Sequence, residues 1–157
     1  MFSQTLEYAL RVMIHLAYQQ NQPVTTKQIA VVTKVPEGYL AKVIQALNKA
    51  GLVHSQRGLH GGSVLARPPE QITIYDIVAV VDPIKRINTC PLGLKSHGVN
   101  LCPLHKRMDQ ALDSVERAFK ESTLADVMAD PNTSKPLCEA PEFETVGGKV
   151  ARLTVKR

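Results

Sequence analysis

Cysteine is scarce in this 157-residue chain, which has three. So few thiols argue against a disulfide framework and leave metal binding or redox chemistry as their use. Long apolar runs are missing as well. None approaches the roughly 20 residues that cross a bilayer, and the N-terminus has neither the basic start nor the continuous apolar core of a signal peptide. A cytoplasmic protein with no membrane partner is expected. Internal repeats are absent, and so are HExxH and HxE followed by PCxxC. Without those motifs a metal-bound water would lack its usual general base, and no enzyme is expected. Carboxylates are outnumbered, 14 against 19 lysines and arginines. The resulting charge of +5 and pI near 9.2 fit a polyanion partner.

What is present is organised around Thr25 to Gly62. Thr25 and Gln28 have the spacing of a capping box, which predicts a helix of about two turns burying Ile29 and Ala30. Pro36 suits the first turn of a new helix, so a tight turn falls near Thr33 to Val35. Leu40, Val43, Ile44 and Leu47 then recur at helical spacing, with Glu37, Tyr39, Lys42, Gln45 and Lys49 on the other faces. Gly51 ends that helix through the left-handed cap glycine accepts. Leu52 to Ser55 and Ser63 to Leu65 are short strand candidates around QRGLHGG, a small flexible tip made positive by Arg57.

Two helices, a turn and a basic hairpin predict a winged helix-turn-helix. An outward face of Tyr, Lys and Gln is what a recognition helix needs in a major groove, although a solvated helix face would look the same in isolation. The arginine-bearing tip tips the balance, because a structural hairpin has no need of it. The candidate DNA contacts are Thr26, Lys27, Glu37, Tyr39, Lys42, Arg57, His60 and Gly61.

Outside this stretch, Ser3 can cap a helix running to about Tyr18 that buries Leu6, Leu10, Met13, Ile14 and Ala17. Glu7 and Arg11, four apart, can form an exposed ion pair. Pro68 and Pro69 stop the second strand, and a helix is expected from about Ile74 to Val81, with Thr73 and Asp76 at its start. An amphipathic helix follows from about Leu104, with Leu104, Met108, Leu112, Val115 and Phe119 in one apolar stripe. Only the short helix beginning near Thr123 is left to cover it. A second copy of the chain would cover it well, so a twofold dimer on a palindromic site is expected; the other arrangement folds the helix back on its own domain. These boundaries divide the chain into a DNA-binding domain at 1–83, a Cys/His loop at 84–103, a dimerisation helix with a short following helix at 104–129, and a mobile tail at 130–157.

The loop holds Cys90, His97, Cys102 and His105 within sixteen residues. Thiolates and imidazoles are the preferred ligands of zinc and of iron–sulfur clusters, and a loop lets them converge without breaking a helix ladder. Zinc held by these four, an iron–sulfur centre, and buried cysteines with no metal are the three readings of the residues. Cys138, alone in the tail, is read as incidental.

LEYALRVMIHLA, GYLAKVIQALNKAGLV, RGLHGG and IYDIVAVVD leading into the cysteine loop together resemble the Rrf2 family of bacterial transcription regulators, over Phe2 to about Met128. The resemblance implies a mainly α fold and a dimer crossed over through the long helix. It also implies a cluster held between that helix and the other subunit's DNA-binding domain. Cys90 and Cys102 match the first and last of the family's three loop cysteines, and the middle one is replaced by the neighbourhood of Ser96 and His97. His105 matches the histidine ligand of the IscR-like branch, and Glu7 falls where the NsrR-like branch has a carboxylate ligand given to the partner. A [2Fe–2S] centre is the expectation, with zinc, or no metal in a constitutive repressor, as alternatives.

Overall fold

A computed structural model describes residues 2–58, 61–94, 100–131, 136–137, 143–146 and 149–152. It is a mainly α winged helix-turn-helix followed by one long helix. Helix α1 (Gln4–Tyr18) starts where Ser3 Oγ accepts the Leu6 N–H at 3.2 Å. The Ser3 N–H itself donates to Asp82 Oδ2 at 3.0 Å, which ties the start of α1 to the end of α4 (Ile74–Val81). Helix α2 (Thr26–Thr33) opens with the capping box anticipated from Thr25 and Gln28. Lys34 then takes a left-handed backbone with φ +55°, the sharp step that turns the chain into α3 (Glu37–Lys49) behind Pro36. Gly51, at φ +72°, closes α3 in the conformation a β-carbon disfavours.

The wing is β1 (Val53–Gln56) paired antiparallel with β2 (Gly62–Leu65), with Val53 opposite Leu65 and Gln56 opposite Gly62. Val24 adds a third rung on the outer edge of β2, exchanging backbone hydrogen bonds with Ser63 at 3.1 and 2.8 Å. This explains the last glycine of the tip. A β-carbon on Gly62 would lie 2.7 Å from the Val24 nitrogen. A 3-10 turn at Pro69–Gln71, unforeseen in the sequence, then leads into α4.

One core joins these elements. Leu6, Val12, Met13 and Leu16 of α1 meet Ile29, Leu40, Leu47, Leu65, Ile77 and Val78, all buried. Each such side chain contributes about 1.5–3 kcal/mol of transfer free energy.

Helix α5 (Pro103–Glu121) runs out from this core with no buried residue of its own, and α6 (Leu124–Ala129) brings the chain back. Leu124 is wholly buried in the winged-helix core. Its N–H donates to Ile72 O at 2.9 Å, and the Ile74 N–H donates to Ser122 O at 2.8 Å. Helix α6 therefore packs on the same core as the winged-helix elements, from beyond the boundaries at residues 83 and 104. The apolar stripe of α5 is divided too. Phe119 packs against that core and lies 5.3 Å from the Phe2 ring, whereas Leu104 and Met108 are 66% and 48% exposed. In the tail, Leu137 packs on the core, and β3 (Phe143–Val146) pairs with β4 (Lys149–Arg152) where no regular structure was expected.

Candidate nucleic-acid interface and metal-ligand loop

Helix α3 buries Leu40, Val43, Ile44 and Leu47 and leaves Glu37, Lys42, Gln45 and Lys49 exposed, as its period requires. Lys27 near the start of α2 and Arg57 at the wing are exposed as well, while Thr26 and Gly61 are half-buried. His60 lies outside the described residues. Tyr39 is 39% exposed and engaged within the chain. Its hydroxyl hydrogen-bonds that of Thr5, and its ring stands edge-on to Tyr8 with centroids 5.5 Å apart. It thus braces the start of α3 against α1, a role its sequence position did not disclose.

Arg11 extends that brace. Its Nε donates to Glu7 Oε1 at 2.9 Å, its Nη1 donates to Thr33 O at 3.4 Å, and its guanidinium lies 5.9 Å from the Tyr8 ring centroid. The ion pair by itself is exposed and worth about 0.3–0.5 kcal/mol. Its geometry matters more, because one side chain runs from Glu7 to the Thr33 carbonyl at the end of α2, beside the helix-turn-helix turn.

Of the predicted metal ligands, the structure brings Cys102 and His105 together. Cys102 stands at the N-cap position of α5 without a side-chain capping bond, and three residues later the His105 Nδ1 sits 3.3 Å from Cys102 Sγ. Cys90 is buried at 8% exposure on the other arm of the loop, and neither it nor Cys102 is in a disulfide. Glu7 is held by Arg11. His97, like Ser96 and Cys138, lies outside the described residues. Among the described residues no three His, Cys, Asp or Glu side chains converge on one point.

Sequence reasoning missed Arg86. Its Nε and Nη2 bond the two oxygens of Asp109, each at 2.7 Å, its Nη1 bonds Asp113 Oδ1 at 2.5 Å, and Glu116 Oε2 lies 3.6 Å away. The Ile87 N–H adds a 2.9 Å bond to Asp109 Oδ1. Arg86 holds the Asp109 carboxyl down at about 2, with the Ile87 N–H as a second cause. The signal was present as carboxylates at i, i+4 and i+7 of α5. It could be read only with knowledge of which arm faces them.

A helix-turn-helix with an exposed recognition face, a basic wing and a cysteine-bearing loop ahead of a long helix defines a DNA-binding transcription regulator of the winged-helix class. The Rrf2 model, described as an iron-dependent transcriptional regulator, matches residues 2–130. The chain belongs to the Rrf2 family. It is 31% identical over 130 residues to the HTH-type transcriptional regulator NsrR of Geobacillus kaustophilus, covering 79% of this chain and 86% of that one. Two solved structures superpose with TM-scores of 0.70. They are IscR of T. potens, at 31% identity over 84% of this chain and 88% of that chain, and the global cysteine regulator CymR of B. subtilis, at 29% identity over 84% and 98%.

Proposed function

We propose that this regulator acts as a homodimer on a palindromic operator. Its affinity for that operator follows a metal centre, an iron–sulfur cluster of the [2Fe–2S] type, and so reports iron supply, redox state or nitric oxide. The observation that carries the proposal is the Cys102–His105 pair, 3.3 Å apart at the mouth of α5. A thiol and an imidazole at that spacing are a two-point ligand set on one helical turn, and the chemistry of the donors suits iron–sulfur ligation. Cys90 would supply a third ligand from the other arm of the loop, and the partner subunit's Glu7 a fourth. Such a centre, when bound, supplies a site that gains or loses electrons and is open to oxidants and nitric oxide.

The chain's own residues do the rest. The exposed Leu104 and Met108 meet their counterparts along a second α5 and close the dimer. The dimer then presents two α3 helices one helical turn apart, with Glu37, Lys42 and neighbouring side chains toward the major groove and Arg57 at phosphate or in the minor groove. Arg11 spans Glu7 and the Thr33 carbonyl, so a displacement of α1 at Glu7 is passed to the turn that sets the pose of α3.

The test begins with protein purified without oxygen, its absorption spectrum taken beside its iron, sulfide and zinc content. Visible bands with iron and sulfide are expected, and a colourless protein with stoichiometric zinc would mark a structural staple. Operator affinity is then compared at fixed salt, because phosphate contacts make affinity salt-dependent. Equal affinity of cluster-loaded and cluster-free protein refutes the sensing mechanism.

A further inference from the structure

The centre proposed above needs Cys90 on one arm of the loop to meet Cys102 and His105 on the other. Arg86 stands four residues before Cys90, on the arm that leaves α4. Its three carboxylate partners all lie on α5, the helix that begins immediately after Cys102. Asp109 takes the guanidinium as a two-pronged fork and accepts the Ile87 N–H as well, so both backbone and side chain of the Cys90 arm are fixed to the helix. A fork of this kind sets orientation as well as distance, which a lysine ammonium cannot do. The network is only partly open to solvent, with Arg86, Asp109 and Glu116 side chains 30%, 18% and 14% exposed.

We infer that Arg86 is a positioning residue for the metal centre, holding the Cys90 arm in register with the Cys102–His105 pair. It rests on the proposed centre for its purpose, but the tie of Arg86 and Ile87 to α5 is a property of the chain itself and can be read without metal. Residues that orient ligands from one step away typically cost 10–100-fold in metal affinity when changed.

The experiment uses the full-length chain with Arg86→Gln, Arg86→Lys and the charge exchange R86D/D109R. In metal-free protein, alkylation by N-ethylmaleimide is followed thiol by thiol by peptide mass mapping. Cys90 is expected to react about tenfold faster in Arg86→Gln through local opening of the loop. Cys102, already half-exposed, keeps its rate, and R86D/D109R restores only part of the protection of Cys90, because Asp113, Glu116 and the Ile87 N–H lose their partners. In reconstituted protein, metal retention against a chelator is expected to fall about 10- to 100-fold in Arg86→Gln and to recover in part in the charge exchange. Full retention by Arg86→Lys argues against the fork. Unchanged Cys90 reactivity overturns the tie, and faster Cys90 reactivity with unchanged metal retention overturns the positioning role. Should the unsubstituted chain take up neither iron nor zinc, the centre itself is refuted, a result distinct from equal Cys90 rates. If Arg86→Gln fails to fold, Arg86→Lys and the charge exchange carry both measurements.

Discussion

Replacing Leu124 by alanine asks where the chain goes after α5. The substitution removes three carbons from a side chain with no exposed surface in the winged-helix core. At about 0.8 kcal/mol per methylene-sized group the transfer loss is about 2.4 kcal/mol, and the unfilled volume raises the total to about 3–4 kcal/mol. For a unit the size of residues 2–130, each kcal/mol moves the thermal midpoint by about 3–5 °C, so Tm should fall by about 9–20 °C. Urea unfolding followed by far-UV circular dichroism measures the loss, at several protein concentrations so that a change in association is seen separately. Leu104→Ala removes the same atoms from a side chain that is 66% exposed. It should leave unfolding within about 0.5 kcal/mol and instead weaken self-association in sedimentation equilibrium. A loss below about 1 kcal/mol for Leu124→Ala would show that α6 is not part of the DNA-binding core.

Three further outcomes follow from the geometry. Arg57→Ala should weaken operator binding about equally across sequences and reduce the slope of log affinity against log salt by about one phosphate contact; an unchanged slope removes the wing from the interface. Gly62→Ala should cost about 1–3 kcal/mol, because the added carbon meets the Val24 backbone, which cannot move aside as a side-chain end could; thermal melts of the two proteins decide it. Asp109 titrates at about 2 in the folded chain against an ordinary 3.8. Its contribution is therefore present above about pH 4 and lost as pH falls toward 2. Acid unfolding of Asp109→Asn should lack that component, and identical acid limbs would contradict the assignment.

Local pattern was enough to read most of the elements. Capping boxes at Thr25 and Thr73, the turn before Pro36 and the left-handed Gly51 are decided by neighbours within four residues, so the sequence carries them in full. The exposed face of α3 follows from its period in the same way. Side-chain partners across elements were not legible. Tyr39 has the position of an outward residue, yet its hydroxyl goes to Thr5, because α1 happens to cross the start of α3 there. Glu7 and Arg11 could be paired from their spacing, but the reach of Arg11 to Thr33 O could not.

The amino-acid sequence by itself determined the winged helix-turn-helix, its basic tip and the nearness in sequence of Cys90, Cys102 and His105, because each depends on residue type and short-range period. Only the tertiary structure decided that Leu124 closes the core from beyond the long helix, that the stripe of α5 is covered at Phe119 and bare at Leu104, and that Arg86 joins the two arms of the loop. Those are contacts between residues far apart in the chain, and they are set by how the helices pack, which no local spacing encodes.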